Sequence, residues 1–196
     1  PTDTTDFTAA AERIFTAMKD IEGEKRLFII WAGGGNPMGK INAMDPSRFG
    51  IEIATGGNIL AALTAYKELP GMEGATYYYY EIPDNAVNDW LVEEHFKRFD
   101  SPPDFFTAGG MSAGIAVVEA IKKAGGADDT EALITAMEGM EFETPKGTMM
   151  FRPEDHQAMQ SMYHFRTEVQ EDKDYGVPVL VREIGIDEMD IPVRNQ

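Results

Sequence analysis

The chain has 196 residues and carries 17 Lys and Arg against 34 Asp and Glu, a formal net charge of −17. Such an acidic surface repels nucleic acid and anionic lipid, and no nucleic-acid partner is expected. The absence of cysteine excludes disulfides, thiolate nucleophiles and Cys-based zinc sites. The 43% of apolar residues can bury a core, and no apolar run is expected to reach the length of a membrane span.

The first predicted elements are a helix and a buried strand. Asp6 can cap a helix whose apolar face begins at Phe7 and which ends at Gly23. The run RLFIIWA, residues 26–32, is continuous and apolar, which predicts a strand covered on both faces. This strand is expected to stop at the glycine-rich turn that begins with Gly33.

The segment GGNPMGK, residues 34–40, fits the phosphate-loop pattern G-x-x-x-x-G-K. However, Ile41 stands where the loop needs Ser or Thr for magnesium, and Asp45-Pro46 would cut the following helix short. A nucleotide-binding enzyme is therefore a remote alternative to a plain glycine turn at a strand end.

The next part of the chain contains four consecutive tyrosines, Tyr77–Tyr80. They follow a predicted strand at residues 50–54 and a helix from Asn58 to about Leu69, and they are predicted to form a strand themselves. Side chains alternate along a strand, so two rings would lie on each face. Their hydroxyl groups need partners, which indicates either a core strand with a wet end or the wall of a cleft.

The remaining elements are predicted from capping and turn signals. A helix opens at Pro83-Asp84, and a long one covers about Phe105 to Ala124 before Gly125-Gly126. The rest of the chain is predicted to form one short helix, a hairpin around a Pro-Lys-Gly turn and two further strands, at residues 130–137, 142–151, 160–169 and 177–183. The alternation of strand and helix predicts an α/β fold with parallel sheets flanked by helices.

No set of residues in the chain assembles a catalytic centre. The three histidines, His95, His156 and His164, lack the spacing of metal ligands, and no serine has the G-x-S-x-G setting of a hydrolase nucleophile. We therefore predict a non-catalytic binding protein with no metal and no cofactor.

Five stretches carry a resemblance to a known family. They are TDFTAAAERI, FIIWAGGGNP, IATGGN, GATYYYY with PDNAVNDWLVEEHFKRFDSPPDFFTAGG, and GMEFETPKGTMMFRPEDHQAMQSMYHFR. In this order, and over nearly the whole chain, the sequence resembles the C-terminal half of periplasmic solute-binding proteins of branched-chain amino acid ABC transporters, the Leu/Ile/Val-binding family.

The resemblance implies a two-lobed fold of the periplasmic-binding-protein type whose N-terminal portion is expected to lie outside these residues. Residues 1–80 would form part of the second lobe, residues 81–143 part of the first, and residues 144–196 the return to the second lobe and the hinge. It also implies a periplasmic protein that captures a small solute between the lobes and delivers it to a membrane permease. A ligand-sensing domain of a receptor or regulator is the alternative with the same fold.

The ligand site is expected where predicted strands end beside glycine-rich turns and at the start of the long helix. The candidate ligand-binding residues are Trp31, Ala32, Gly33, Thr55, Gly56, Tyr78, Tyr80 and Phe105. Amino-acid binders of this class tend to hold the ligand ammonium with a carboxylate in the second lobe, but the turn Ala54–Gly57 contains no acid. Unless Glu81 supplies that carboxylate, a small aliphatic or aromatic carboxylic acid is as good a candidate as leucine.

Overall fold

The chain divides into two units within the residues that the computed structural model describes, which are 7–30, 37–56 and 59–194. Unit 1 comprises Pro1–Thr76 and Tyr163–Arg182, and unit 2 comprises Tyr77–Met162 and Glu183–Gln196. The chain therefore passes from one unit to the other at three points. The lobe bounds that the resemblance implies, 1–80, 81–143 and 144–196, stay a prediction about the complete protein.

Helices and strands alternate over residues 7–76, three consecutive helices follow over residues 86–137, and strands dominate the rest of the chain. In chain order they are α1 (Phe7–Met18), β1 (Lys25–Ile29), α2 (Met38–Ala43), β2 (Ile51–Gly56), α3 (Leu60–Tyr66), β3 (Glu73–Thr76), α4 (Ala86–Phe99), α5 (Phe105–Ala124), α6 (Thr130–Met137), β4 (Glu141–Thr144), β5 (Gly147–Phe151), β6 (Ala158–Met159), β7 (Met162–Val169) and β8 (Gly176–Ile184). The α/β class predicted from the sequence is confirmed.

The sheet of unit 1 has the strand order β1-β2-β3-β7-β8. Strands β1, β2 and β3 run parallel, whereas β7 pairs with β3 in the antiparallel direction. The sheet is therefore mixed rather than purely parallel. The buried apolar side chains of unit 1 include Phe15 of α1, Leu63 and Tyr66 of α3, and Phe165 of β7.

Strand β1 differs from the prediction of a strand covered on both faces. It covers Lys25–Ile29, and its side chains alternate between half-buried and exposed, with Phe28 56% exposed. Ile30, directly after the strand, is 77% exposed. The apolar run correctly indicated a strand, but it could not show which faces other elements cover, because composition carries no information about neighbours.

The four tyrosines do not form a strand, so that prediction is wrong. Strand β3 ends at Thr76, and Tyr77–Tyr80 follow it as a non-regular segment that turns where the Ile82 amide donates to the Tyr79 carbonyl. The chain leaves the sheet at this point because it passes from unit 1 into unit 2. Three consecutive tyrosines are buried, Tyr78, Tyr79 and Tyr80. In a strand covered on one face, successive side chains would alternate between buried and exposed.

Helices α4, α5 and α6 of unit 2 each have an N-terminal residue whose side chain caps the helix. Asn85, rather than Pro83 or Asp84, caps α4 and accepts hydrogen bonds from the amides of Val87 and Asn88. Asp104 and Asp129 cap α5 and α6 in the same way. The bounds predicted for α5 and α6 are confirmed, because strong caps and a following Gly125 mark their ends in the sequence.

Helix α5 packs on the antiparallel hairpin of β4 and β5. Ala116 and Ala120 of the helix belong to one buried cluster with Met140, Phe142 and Met149. By length and hydropathy α5 is long and apolar enough to cross a membrane, so the expectation that no segment reaches that length is wrong. Its small side chains Ala116 and Ala120 pack against the hairpin, whereas its large side chains Phe106, Val117 and Val118 are exposed.

Candidate functional site

The carboxyl ends of β1 and β2 lie side by side in unit 1. The two strands pair in parallel with Ile29 opposite Thr55, and β3 continues the parallel order with Ala75 opposite Gly56. The carboxyl ends of these strands therefore lie at one edge of the sheet, which is where solutes bind in open α/β sheets. Trp31, Ala32 and Gly33 follow β1 but lie outside the described residues, and their role in binding stays a prediction.

Thr55 and Gly56 end β2 in a closely packed setting. Thr55 is fully buried, its hydroxyl lies 3.1 Å from the Ile29 carbonyl, to which it donates, and 3.0 Å from the Tyr66 hydroxyl. A Cβ at Gly56 would approach the tip of the Phe28 ring to 2.7 Å, so a larger residue there would require this exposed ring to move. Burial raises the pKa of Tyr66, and the hydrogen bond with Thr55 opposes that rise.

The side chain of Asn88 forms hydrogen bonds with both Tyr78 and Tyr80 inside unit 2. The Tyr78 hydroxyl donates to Asn88 Oδ1 at 2.7 Å, while Asn88 Nδ2 donates to the carbonyls of Tyr80 and Pro83 at 3.0 Å each. Asn88 is only 2% exposed. These bonds fix the path of the tyrosine segment, and whether either tyrosine also contacts a solute stays a prediction.

Phe105, the candidate at the start of α5, packs against Tyr77. Their ring centroids are 4.7 Å apart in an edge-to-face arrangement. Tyr77 is half-buried, burial raises the pKa of its hydroxyl, and a hydrogen bond with Ser112 opposes the rise. The structure thus brings Tyr77 to Phe105, although periodicity could not distinguish Tyr77 from the other tyrosines.

Lys146 contacts the Tyr77 ring of this aromatic pair, and the sequence pattern did not single it out as a candidate site residue. Its ammonium lies 4.0 Å from the centroid of the Tyr77 ring, and the residue is 6% exposed. Burial lowers the pKa of Lys146 to about 7, and the nearby Glu183 carboxylate opposes that change. The Pro-Lys-Gly turn was recognised as a turn, but turns usually lie at the surface, so nothing in the sequence marked its lysine as buried.

A groove of about 520 Å³ lies beside α5 and β4 in unit 2. It is lined by Ile115, Glu119, Glu141, Phe142, Glu143 and Thr148. Three carboxylates in one groove repel an anion, so this surface does not suit a carboxylate solute. Within the described residues, no group of three or more His, Cys, Asp or Glu side chains is placed to hold a metal ion.

Two comparisons by sequence place the chain among transport proteins. Residues 1–174 match the family described as periplasmic binding protein. The chain is 28% identical over 174 residues to Leu/Ile/Val-binding protein homolog 6 of Brucella melitensis, a match that covers 83% of this chain and 42% of that protein. The chain thus spans less than half of the length of that curated relative.

Two solved structures that resemble this chain are also proteins of ABC transporters. A branched-chain amino acid ABC transporter protein of Rhodopseudomonas palustris is 63% identical, with a TM-score of 0.91, and the match covers 100% of this chain and 53% of that one. A solute-binding protein of an ABC transporter from Rhodopseudomonas palustris BisB5, solved with 3,4-dihydroxybenzoic acid, is 26% identical with a TM-score of 0.72, over 93% of this chain and 50% of that one. The resemblance to the Leu/Ile/Val-binding type is confirmed.

Proposed function

The chain belongs to the periplasmic binding protein family, and from that premise we propose that it is part of the solute receptor of an ABC importer. The receptor binds a small carboxylate in the periplasm and delivers it to a membrane permease. The relatives are solute-binding proteins of such transporters and not members of an enzyme family. The single observation that carries the proposal is the family match over residues 1–174. The parallel pairing of β1 and β2, whose carboxyl ends lie together, supports it.

The solute class that we propose is an aromatic or aliphatic carboxylic acid, in preference to leucine. The sequence ATGG at residues 54–57, which includes the end of β2, contains no carboxylate for a ligand ammonium. The half-buried rings of Tyr77 and Phe105 supply aromatic surface. One relative at 26% identity was solved with a dihydroxybenzoic acid, which supports this class.

Titration calorimetry of the complete protein against benzoate, 3,4-dihydroxybenzoate, hexanoate, leucine and valine tests the proposal. We expect binding of at least one acid that lacks an ammonium group. Binding of leucine or valine alone would assign the site to amino acids, and the carboxylate proposal would be wrong. Binding of none of the five would contradict the assignment of this solute class to the protein altogether.

Trp31→Ala should weaken binding of the best solute by about 2–4 kcal/mol, the scale of losing one large buried aromatic contact. The chain has two tryptophans, and the other, Trp90 on α4, is 54% exposed and provides the matched control. We expect Trp90→Ala to leave the affinity unchanged. If Trp31→Ala and Tyr80→Ala both fold and bind as the wild type does, the pocket lies elsewhere.

A further inference from the structure

The three points at which the chain passes between the units have a common neighbour. The passages lie after Thr76, after Met162 and after Arg182. On the unit 2 side, the residues at or beside these passages are Tyr77, Gln160-Ser161 and Glu183. They are far apart in sequence, so a shared contact among them must come from the fold.

Lys146 interacts with the unit 2 side of all three passages. Its Nζ donates to the Ser161 carbonyl at 2.5 Å and to Gln160 Oε1 at 3.3 Å. The same ammonium lies 4.0 Å from the centre of the Tyr77 ring, in the geometry of a cation–π contact. The carboxylate of Glu183 acts on it electrostatically and favours its charged form.

Hydrogen bonds within the β4–β5 hairpin and from the start of α4 hold the turn that contains Lys146. Thr144 and Gly147 face each other in the register of the β4–β5 hairpin, and the Thr144 hydroxyl donates to the Gly147 carbonyl at 2.8 Å. The Lys146 amide in turn donates to that hydroxyl at 3.1 Å. Asn85, the cap of α4, donates from its side chain to the Pro145 carbonyl at 3.0 Å. The lysine therefore extends from a fixed base.

We propose that Lys146 is a positioning residue for the junction between the units. On the unit 2 side its side chain contacts two of the three passages and its charge attracts the carboxylate at the third, and in this way it limits the range of distances that the units sample. Each of the three connecting segments can bend where it passes between the units. A single ammonium that contacts two of them and is attracted to a carboxylate of the third couples their bending. The buried Lys146 ammonium makes its hydrogen bonds to Gln160 and Ser161, and water does not readily replace these partners because the site is shielded from solvent.

Distance measurements between two spin labels in the complete protein test this proposal. The 196 residues contain no cysteine, so cysteines can be introduced at exposed Arg48 in unit 1 and exposed Lys123 in unit 2. We expect Lys146→Met to broaden the distance distribution and to shift its mean, while the near-ultraviolet circular dichroism of the folded protein is retained. Lys146→Arg keeps the charge and the donors, and we expect it to restore most of the narrow distribution.

The matched control is Lys67→Met. The Lys67 ammonium donates to the Lys173 carbonyl at 2.6 Å, with both residues inside unit 1, so this lysine also bonds a backbone carbonyl but at no passage. We expect its distance distribution to equal that of the wild type. An unchanged distribution in Lys146→Met, or an equal broadening in Lys67→Met, would overturn the proposal.

A second variant keeps the proposal testable where Lys146→Met fails to fold. Gln160→Met removes one acceptor of the Lys146 ammonium and leaves the lysine in place. We expect a smaller broadening in the same direction. A folded Gln160→Met with the wild-type distribution, together with an unfolded Lys146→Met, would assign Lys146 to the stability of unit 2 alone and contradict its role at the junction.

Discussion

At the scale of single residues, the burial of Lys146 links the stability of the chain to pH. An unfolded lysine keeps its proton up to about pH 10.4, whereas burial lowers the pKa of Lys146 to about 7. Between these values the unfolded state binds more protons than the folded state, so the folded state gains stability as the pH rises. Below about pH 7 both states are protonated and the full cost of burying the ammonium is present.

We therefore expect Lys146→Met to abolish one part of the pH dependence of stability. The free energy of unfolding of the wild type, relative to the variant, should rise by a few kcal/mol between pH 7 and pH 10. Urea unfolding at a series of pH values measures this difference. Lys122→Met, on an exposed face of α5, is the control and should run parallel to the wild type. Parallel curves for Lys146→Met would show that the lysine is not buried as described.

Asn88 is the second residue whose neighbours give it a defined energetic role. Its side chain connects Tyr78 with the carbonyls of Tyr80 and Pro83 in a buried setting. We expect Asn88→Ala to lower the free energy of unfolding by about 2–4 kcal/mol, because three buried hydrogen bonds are lost at once. Asp89→Ala, at the exposed next position of α4, should change it by less than about 0.5 kcal/mol. Equal effects of the two substitutions would contradict this role.

At the scale of secondary structure, two glycines show opposite constraints on a strand and a helix. A Cβ at Gly74 of β3 would lie 2.7 Å from the Thr55 carbonyl oxygen and 3.0 Å from the Phe165 ring. At Gly109 of α5, no heavy atom of the described residues beyond the surrounding helix backbone lies within 4 Å of the added carbon. The strand position therefore requires glycine for space, while the helix position does not.

The same substitution should consequently have opposite signs at the two positions. Gly74→Ala should lower the free energy of unfolding by about 1–3 kcal/mol, the usual cost of overpacking. Gly109→Ala should raise it by about 0.5–1 kcal/mol, because glycine costs backbone entropy in a helix interior. Denaturant unfolding of both variants measures the pair. A loss of stability in Gly109→Ala would mean that this face of α5 is packed against another surface in the complete protein.

At the scale of the whole molecule, the net charge of −17 sets the response to salt. The exposed ion pairs, such as those of Glu94 with Lys97 and Arg98, contribute little each and are screened by salt. With 34 acidic against 17 basic side chains, repulsion between carboxylates outweighs them. Raising the ionic strength from 10 to about 150 mM should therefore raise the melting temperature at pH 7.

The same salt series near the sequence pI of about 4.4 provides the control for this expectation. The net charge is close to zero there, so the rise should vanish or change sign. Differential scanning calorimetry gives both series. A melting temperature that is independent of salt at pH 7 would show that the acidic side chains are too far apart for their repulsion to matter.

The amino-acid sequence by itself determined the family, the α/β class and the elements with strong local signals. Helices α5 and α6 were predicted correctly because Asp104, Asp129 and Gly125 mark their ends through contacts within a few residues. The hairpin at residues 142–151 was predicted because its Pro-Lys-Gly turn is equally local. The solute site remains a prediction from strand ends and resemblance, and its residues Trp31, Ala32 and Gly33 lie outside the described part of the chain.

The tertiary structure decided the points that depend on residues distant in sequence. Four tyrosines carry strand propensity, but the passage into unit 2 ends β3 at Thr76 before them. The apolar run of β1 could not reveal that Phe28 is exposed, because burial depends on which element packs against each face. Lys146 looked like a solvated turn residue, and it is buried because Tyr77 and Ser161 reach it from sequence positions 69 and 15 residues away. Neighbouring residues determine the local preference for helix, strand or turn. The burial and the charge environment of a side chain depend on segments that are distant in sequence and meet only in the folded chain.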